Sequence, residues 1–466
     1  MNGLLLVLSL MTGIGISLLV PEYGASAVLL CSIVALAVGF YFNHLKTDRE
    51  FLVRLFISGL LCRVLVGTLI FVFELQEFFG GDAFTYDSYG YALAQTWQGA
   101  NQFRDVASTL AKDFWGITYY VAGIYTLTGR NMLAVQFVNS VLGAATAPLI
   151  YLCAQHIFDN RVVSRYSAVL VAFFPSLVLW SAQALKDGLI VFLLVMVILL
   201  TFRLSERFSI KYLVILGMAL FWLLGLRFYV FYMALVAIAG AFVIGMKAVS
   251  TVSLVRQLII LIGLGLALTY MGVLRSANTQ FESYGNLEAV QRSRSDLTAR
   301  ASSGFNRDVD VSTTSGALTA VPLGLVYLLF APFPWQLATV RQSITLPEML
   351  VWWASFPLLI TGLWFTLKYR MRQALPILIF TTMLTLAYSI FQGNIGTAYR
   401  QRAQVLVFYF IFVSVGAALV KEKREDKQRQ ATRIRDAAME ASRRGGRADG
   451  YLHTAGGDLT KPARRP

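Results

Sequence analysis

The chain has 466 residues, a net charge of +15, 57 % hydrophobic and 14 % charged residues, and a mean hydropathy of +0.63. Soluble globular chains carry about 45–50 % apolar and about 25 % charged residues. The excess here recurs in blocks of about twenty residues, the length of a membrane span. That excludes a soluble cytosolic enzyme, a disordered protein and a disulfide scaffold, and predicts an all-α fold, a polytopic transmembrane helical bundle.

In chain order the apolar blocks predict spans near 2–20, 25–43, 51–74, 131–157, 166–183, 187–203, 212–226, 229–247, 257–274, 348–367, 374–391 and 403–420. The first block is followed too closely by the second to read as a cleaved signal. Segment 319–335 is interrupted by Pro332 and Pro334 and is predicted to be re-entrant, which gives about twelve spans plus one re-entrant piece. Lys46, Arg49, Arg161, Arg165, Arg203, Arg207, Lys211, Lys247, Arg256, Lys368, Arg370 and Arg372 all fall on one side. By the positive-inside rule that side is cytoplasmic. Both termini then lie there, and loops 75–130 and 275–318 face the outside of a cell (inner) membrane.

The first outer loop predicts helices along the membrane surface over 82–97 and 103–112, because aromatics recur there at helical spacing. The second is polar and predicted to be flexible. Residues 421–466 carry thirteen Lys/Arg against seven Asp/Glu, a tail suited to anionic headgroups. Its first half predicts a frayed helix and the rest disorder; a nucleic-acid partner is not indicated. Cys31, Cys62 and Cys153 sit in apolar runs without metal spacing, and His44, His156 and His453 are the only histidines. A histidine triad or zinc centre is not expected.

Candidate chemistry concentrates in FFGGDAFTYDSYGYALAQTW, residues 78–97. Gly80 and Gly81 predict a sharp turn, with Asp82 at the head of the next helix and Tyr86 and Tyr89 on its face at i+4 and i+7. Asp82 can serve there as an N-cap or as a general base, and residue type alone leaves both open. Asp87 points about 140° away. Lys186, Arg227, Arg400 and Arg402 lie near outward span ends, against the positive-inside rule, and a lipid phosphate gives them a common purpose. Snorkelling or local pairing, as of Lys186 with Asp187, is the plainer explanation for any one of them. Arg63, near mid-span, suits either the fold or a cavity. Pro175, Ser176 and Trp180 place a kink and a polar handle in span 166–183, and the prolines and aromatics of LLFAPFPWQ suit a wall for a lipid chain.

At these residues the chain resembles the GT-C superfamily of integral-membrane glycosyltransferases, in the style of bacterial relatives of protein mannosyltransferases and lipid A aminoarabinose transferases. The likeness lies in span 51–74, the outward loop opening on Asp82, two surface helices, the FPSLVLWSAQALKD stretch and the late arginine pair. It is strongest over 51–250. The familiar Asp-Glu pair stands here as Asp82-Ala83, which vacates the second acid or passes it to Asp87; two extra spans precede the match. The resemblance divides the chain into a two-span extension (1–50), a catalytic region (51–420) and the tail.

It implies a polyprenyl-phosphate-linked sugar donor and a glycan, lipid or protein acceptor. The implied mechanism is inverting transfer at the outer face, with an aspartate base and the outward cations on the phosphate. No cofactor is expected, and two carboxylates on different faces, Asp82 and Asp87, speak against a divalent metal. Two rivals stand beside it. One is an O-antigen-type polymerase or ligase using Arg292, Arg294, Arg300 and Arg307. The other is a transporter of polyprenyl-linked glycans, which would want mid-span acids.

Overall fold

The computed structural model describes residues 3–244, 251–270, 273, 286–299, 304–305, 309–337 and 339–455. Among them it is all helical, with one isolated bridge between Gly304 and Asn394 and no strand. The helices are α1 (Gly3–Leu19), α2 (Gly24–Asn43), α3 (Arg49–Val72), α4 (Gln76–Gly80), α5 (Asp82–Trp97), α6 (Arg104–Thr128), α7 (Met132–Phe158), α8 (Arg161–Phe173), α9 (Pro175–Ser181), α10 (Lys186–Glu206), α11 (Ile210–Leu226), α12 (Phe228–Ile244), α13 (Thr251–Tyr270), α14 (Leu287–Ala299), α15 (Thr314–Phe330), α16 (Val340–Ser343), α17 (Leu346–Tyr369), α18 (Met371–Phe391) and α19 (Ile395–Ala455).

Seven of these are long and apolar enough to cross a membrane, or eight if the bent pair α8 and α9 is one span. Five more are apolar but shorter. Each of the twelve expected spans falls on one of these apolar helices, while length and composition alone qualify only the seven or eight. In the segment expected to be broken and re-entrant, helix α15 runs to Phe330 and ends there, with the break falling at Pro332 and Pro334 as expected. Ile390 of α18 packs on the cluster of Val311, Ala317 and Ala320, Gly324 abuts the Ser389 carbonyl, and Arg402 bonds the carbonyls of Leu328, Leu329 and Ala331. Both ends of α15 therefore meet the same end of α18 and α19.

The buried centre is α7 and α10, with the first six turns of α19 against them. Asn131 caps α7, its side chain accepting from the Ala134 amide. The outermost helices expose Leu4, Leu10, Leu29 and Leu36, as a lipid-facing surface does. Lipid gives helices no hydrophobic reason to associate, so close approach at small residues matters. On α17 and α19, Gly362 lies against the Phe412 carbonyl and Gly416 against the Leu358 carbonyl, and a Cβ at either would overlap the partner backbone.

The bend between α8 and α9 is 55°. Pro175 has no N–H, so the ladder stops there and leaves carbonyls over. Arg63 meets them: its Nη1 donates to Ala172 at 2.8 Å and its Nη2 to Val171 at 3.3 Å, while Nε reaches Ser181 Oγ at 2.8 Å. Of the two roles open to Arg63, these bonds are those of the fold.

Three further expectations change. The surface helix expected over 103–112 continues to Thr128. Part of the loop expected to be flexible forms α14, with Leu287 and Val290 on the Val311 cluster. The tail is helical to Ala455, well past the half that was expected.

Candidate active site

After α3 the chain turns at Glu74, which holds a left-handed φ of 53°. The turn expected at Gly80 and Gly81 is absent, for Gly81 has φ −55° and continues the helical path from α4 into α5. Gly80 contributes clearance instead: a Cβ there would stand 3.2 Å from Leu185 and 3.8 Å from the Arg400 guanidinium.

Asp82 is the first residue of α5, and the N-cap position is held by Gly81 rather than by Asp82. It faces Arg400, whose Nη1 donates to Oδ2 at 2.8 Å. Arg400 reaches on to Asp187 Oδ2 at 2.6 Å, and Asp187 Oδ1 accepts from Arg227 Nη2 at 3.3 Å. Four side chains thus form one chain of charge, Asp82–Arg400–Asp187–Arg227, assembled from α5, α19, α10 and the head of α12. Its two carboxylates differ sharply, Asp82 being 54 % exposed and Asp187 1 %. A buried carboxylate persists only when paired, so Asp187 fixes the two arginines while Asp82 stays open to what enters.

All but Asp187 line a cavity of about 1070 Å³, together with Tyr86, Lys186, Trp180, Arg341, Glu348 and Tyr399. Lys186 Nζ lies 5.9 Å from the centre of the Tyr86 ring. Burial and the Asp82 carboxylate push the Tyr86 phenol up, so it remains a hydrogen-bond donor at neutral pH. Arg341 on α16 bonds the Phe79 carbonyl and closes the rim. Burial and the nearby Arg400 lower its pKa. Lys186, Arg227, Arg341 and Arg400 outnumber Asp82 and Asp187, leaving this wall positive. Among the described residues, two buried N–H groups there have no hydrogen-bond partner, Arg227 Nη1 and Trp180 Nε1, although the Arg227 guanidinium also interacts with the Tyr388 hydroxyl. Buried donors are rarely left so unless a ligand or water supplies the acceptor.

The structure thus brings Asp82, Tyr86, Lys186, Arg227 and Arg400 together and leaves three expected site residues outside. Asp87 is buried, accepting from Tyr125 Oη at 2.5 Å and Arg130 Nη2 at 2.6 Å; it ties α5 to α6 and to the connection that leads into α7. Tyr89 is half-buried and not on the cavity, being nearly two turns along a helix that leads away from it. Arg402 is 1 % exposed and spends its guanidinium on the α15 carbonyls and Met349 Sδ. Of the rival set, Arg294 is buried and bonds the Ile390 carbonyl, Arg292 is exposed, and Arg300 and Arg307 lie outside the described residues.

Asp187, Arg341 and Glu348 were not anticipated. The available signal was an acid in the first turn of an apolar helix, at 187 and again at 348. Among the described residues no three His, Cys, Asp or Glu side chains gather as a metal site.

Residues 116–273, about a third of the chain, match the model of the dolichyl-phosphate-mannose-protein mannosyltransferase family. The match takes in Lys186, Asp187 and Arg227 and leaves Asp82, Glu348 and Arg400 on either side. No curated protein and no solved structure matches the chain. That match, on a multi-pass helical architecture, supports a membrane glycosyltransferase of the GT-C type.

Proposed function

We propose that the protein moves a sugar from a polyprenyl-phosphate carrier to an acceptor hydroxyl at the outer face of the cell membrane, with inversion and with Asp82 as base. The observation that carries this reading is the shared cavity: a half-exposed carboxylate beside a positive wall that holds unpartnered donors. A phosphodiester carries one negative charge and suits the surplus of cations. Its oxygens are the acceptors that Arg227 Nη1 and Trp180 Nε1 lack.

Phosphate bound to Arg400 competes with Asp82 for the guanidinium, and Asp187 keeps the arginine in place meanwhile. Asp82 is then released to take the proton of the acceptor hydroxyl. The acceptor oxygen forms a bond to the anomeric carbon as the carbon–oxygen bond to phosphate breaks, and the electron pair leaves with the phosphate. Lys186, Arg227 and Arg400 stabilise that charge as it develops. The leaving group is already weakly basic, so no separate acid or cofactor is called for. Cys62, Val66, Phe173 and Leu179 give the cavity an apolar side for the first isoprene units.

The outer-face assignment is supported by the lysines and arginines of the opposite loops. Sealed proteoliposomes loaded with a polyprenyl-phosphate hexose test the reading, with acceptor added to one side at a time and the product anomer read by NMR. Transfer on the side opposite the Lys/Arg-rich loops, with inversion, is expected. Retention, or transfer on the Lys/Arg-rich side, would overturn it.

A further inference from the structure

Glu348 is a carboxylate on the cavity to which the transfer reading gives no task. It stands in the first turn of α17, 6 % exposed. Tyr399 Oη donates to its Oε2 at 2.8 Å and Ser176 bonds it as well. Among the described residues no cation pairs with it; Arg402 lies behind, 5.0 Å from the Tyr399 ring centre and engaged with backbone carbonyls. A carboxylate offers about four acceptor positions, so Glu348 keeps capacity toward the cavity.

The wall between Glu348 and the cations is aromatic. Arg400 lies 5.8 Å from the Trp180 ring centre, and the Trp180 and Tyr399 rings meet edge to face at 6.3 Å. Along the cavity the order is cation, indole, phenol, carboxylate. A glycosyl phosphate has the matching order: anion, the C–H face of a pyranose, then hydroxyl donors. The apolar face of the ring suits the aromatic wall, and the hydroxyls suit a buried acceptor.

We propose that Glu348 is a specificity-determining residue that accepts hydrogen bonds from hydroxyls of the donor's sugar while the ring lies over Trp180 and Tyr399. This deepens the glycosyl-transfer reading and rests on it. A site built to bond a substrate hydroxyl discriminates strongly, since a mismatched sugar leaves the buried group unpaired.

The test measures binding by the full-length, lipid-reconstituted protein of polyprenyl-phosphate mannose, glucose and galactose against polyprenyl methyl phosphate. The last has the same charge and no sugar, so the difference isolates the sugar's contribution. Glu348→Gln preserves shape and can still accept from Tyr399, but loses charge and turns one oxygen into a donor. In wild type at least one hexose should bind about 10- to 100-fold tighter than the methyl ester. Glu348→Gln should lose most of that increment, with methyl-ester affinity within about twofold of wild type. Tyr399→Phe, which frees the carboxylate from its anchor, should lose a smaller part. Equal weakening of all four compounds, no change in any, or no increment in wild type would overturn the proposal. Failure of the transfer reading itself looks different: the wild-type protein would then bind none of the four compounds.

Discussion

Arg400 and Arg402 sit two residues apart on one helix, yet their surroundings have little in common. Arg400 joins two carboxylates at the edge of a cavity. Arg402 is turned into the protein, onto carbonyls where α15 ends and onto a methionine sulfur. Arg63 belongs with Arg402, since it too serves carbonyls left over at a helix break. An arginine at membrane depth therefore has two distinct uses. Matched to free carbonyls it repairs a backbone interruption, and matched to carboxylates around a cavity it prepares a place for an anion.

Exchanging the two arginines' fates is the strongest way to break that comparison. Arg400→Gln should lower kcat/KM by roughly 100-fold or more, through the lost phosphate contact. Some melting temperature should go with it, because buried Asp187 loses a partner. Arg402→Met should act the other way round, with stability down by about 2–4 kcal/mol from carbonyls left unbonded. The specific activity of the folded fraction should be nearly kept. Thermal unfolding and turnover on the same preparations separate the two; a fully stable but inactive Arg402→Met would merge the categories.

Packing gives the next largest effect. Gly362→Ala or Gly416→Ala puts a methyl into the partner backbone where α17 meets α19, and should cost about 1–3 kcal/mol by overpacking. Glu348 stands at the head of α17, so donor binding should weaken with it. Unchanged melting in both variants would show that the helices are not held at this crossing.

How much of this was legible follows from what each signal reports. Hydropathy blocks report helices, and every expected span lies on one, or for 166–183 on the bent pair α8 and α9. Asp82 was legible because it opens a helix of its own within ten residues of a span's end. Arg402 was misassigned although the geometry was available: successive residues rotate about 100° on a helix, so positions 400 and 402 cannot face one cavity. Tyr89 shares the face of Asp82, yet periodicity says nothing about where a helix leaves a site. Asp187 was hidden by its neighbour, since an acid beside Lys186 reads as a local pair. Its true partners, Arg227 and Arg400, are 40 and 213 residues away. No spacing in the chain announces such a pairing.

The smallest expected effect concerns the other end of the bundle, where a carboxylate serves the fold alone. Asp48 binds Arg165 at 2.9 Å and accepts from Tyr151 Oη at 2.9 Å. Arg165 holds its carboxyl below the usual carboxylate range, with burial opposing and Tyr151 assisting. A lowered folded-state pKa means that the contribution is complete above the unfolded value of about 4 and is lost as pH falls through the lower folded value. The melting difference between wild type and Asp48→Asn should be constant from pH 7 to about 5 and should shrink below about 4. Because the pair is partly solvated, the difference should amount to no more than a few degrees.

The central claim is that Asp82 takes the acceptor proton, and Asp82→Asn in purified, lipid-reconstituted protein tests it most directly. The side chain is 54 % exposed and does not occupy the N-cap, which is Gly81, so losing its charge should change stability by no more than about 1 kcal/mol. The account predicts a fall in polyprenyl-phosphate-sugar turnover of about 100- to 10,000-fold, with melting temperature close to wild type and donor binding as tight as wild type or tighter. Turnover within a few-fold of wild type would contradict it.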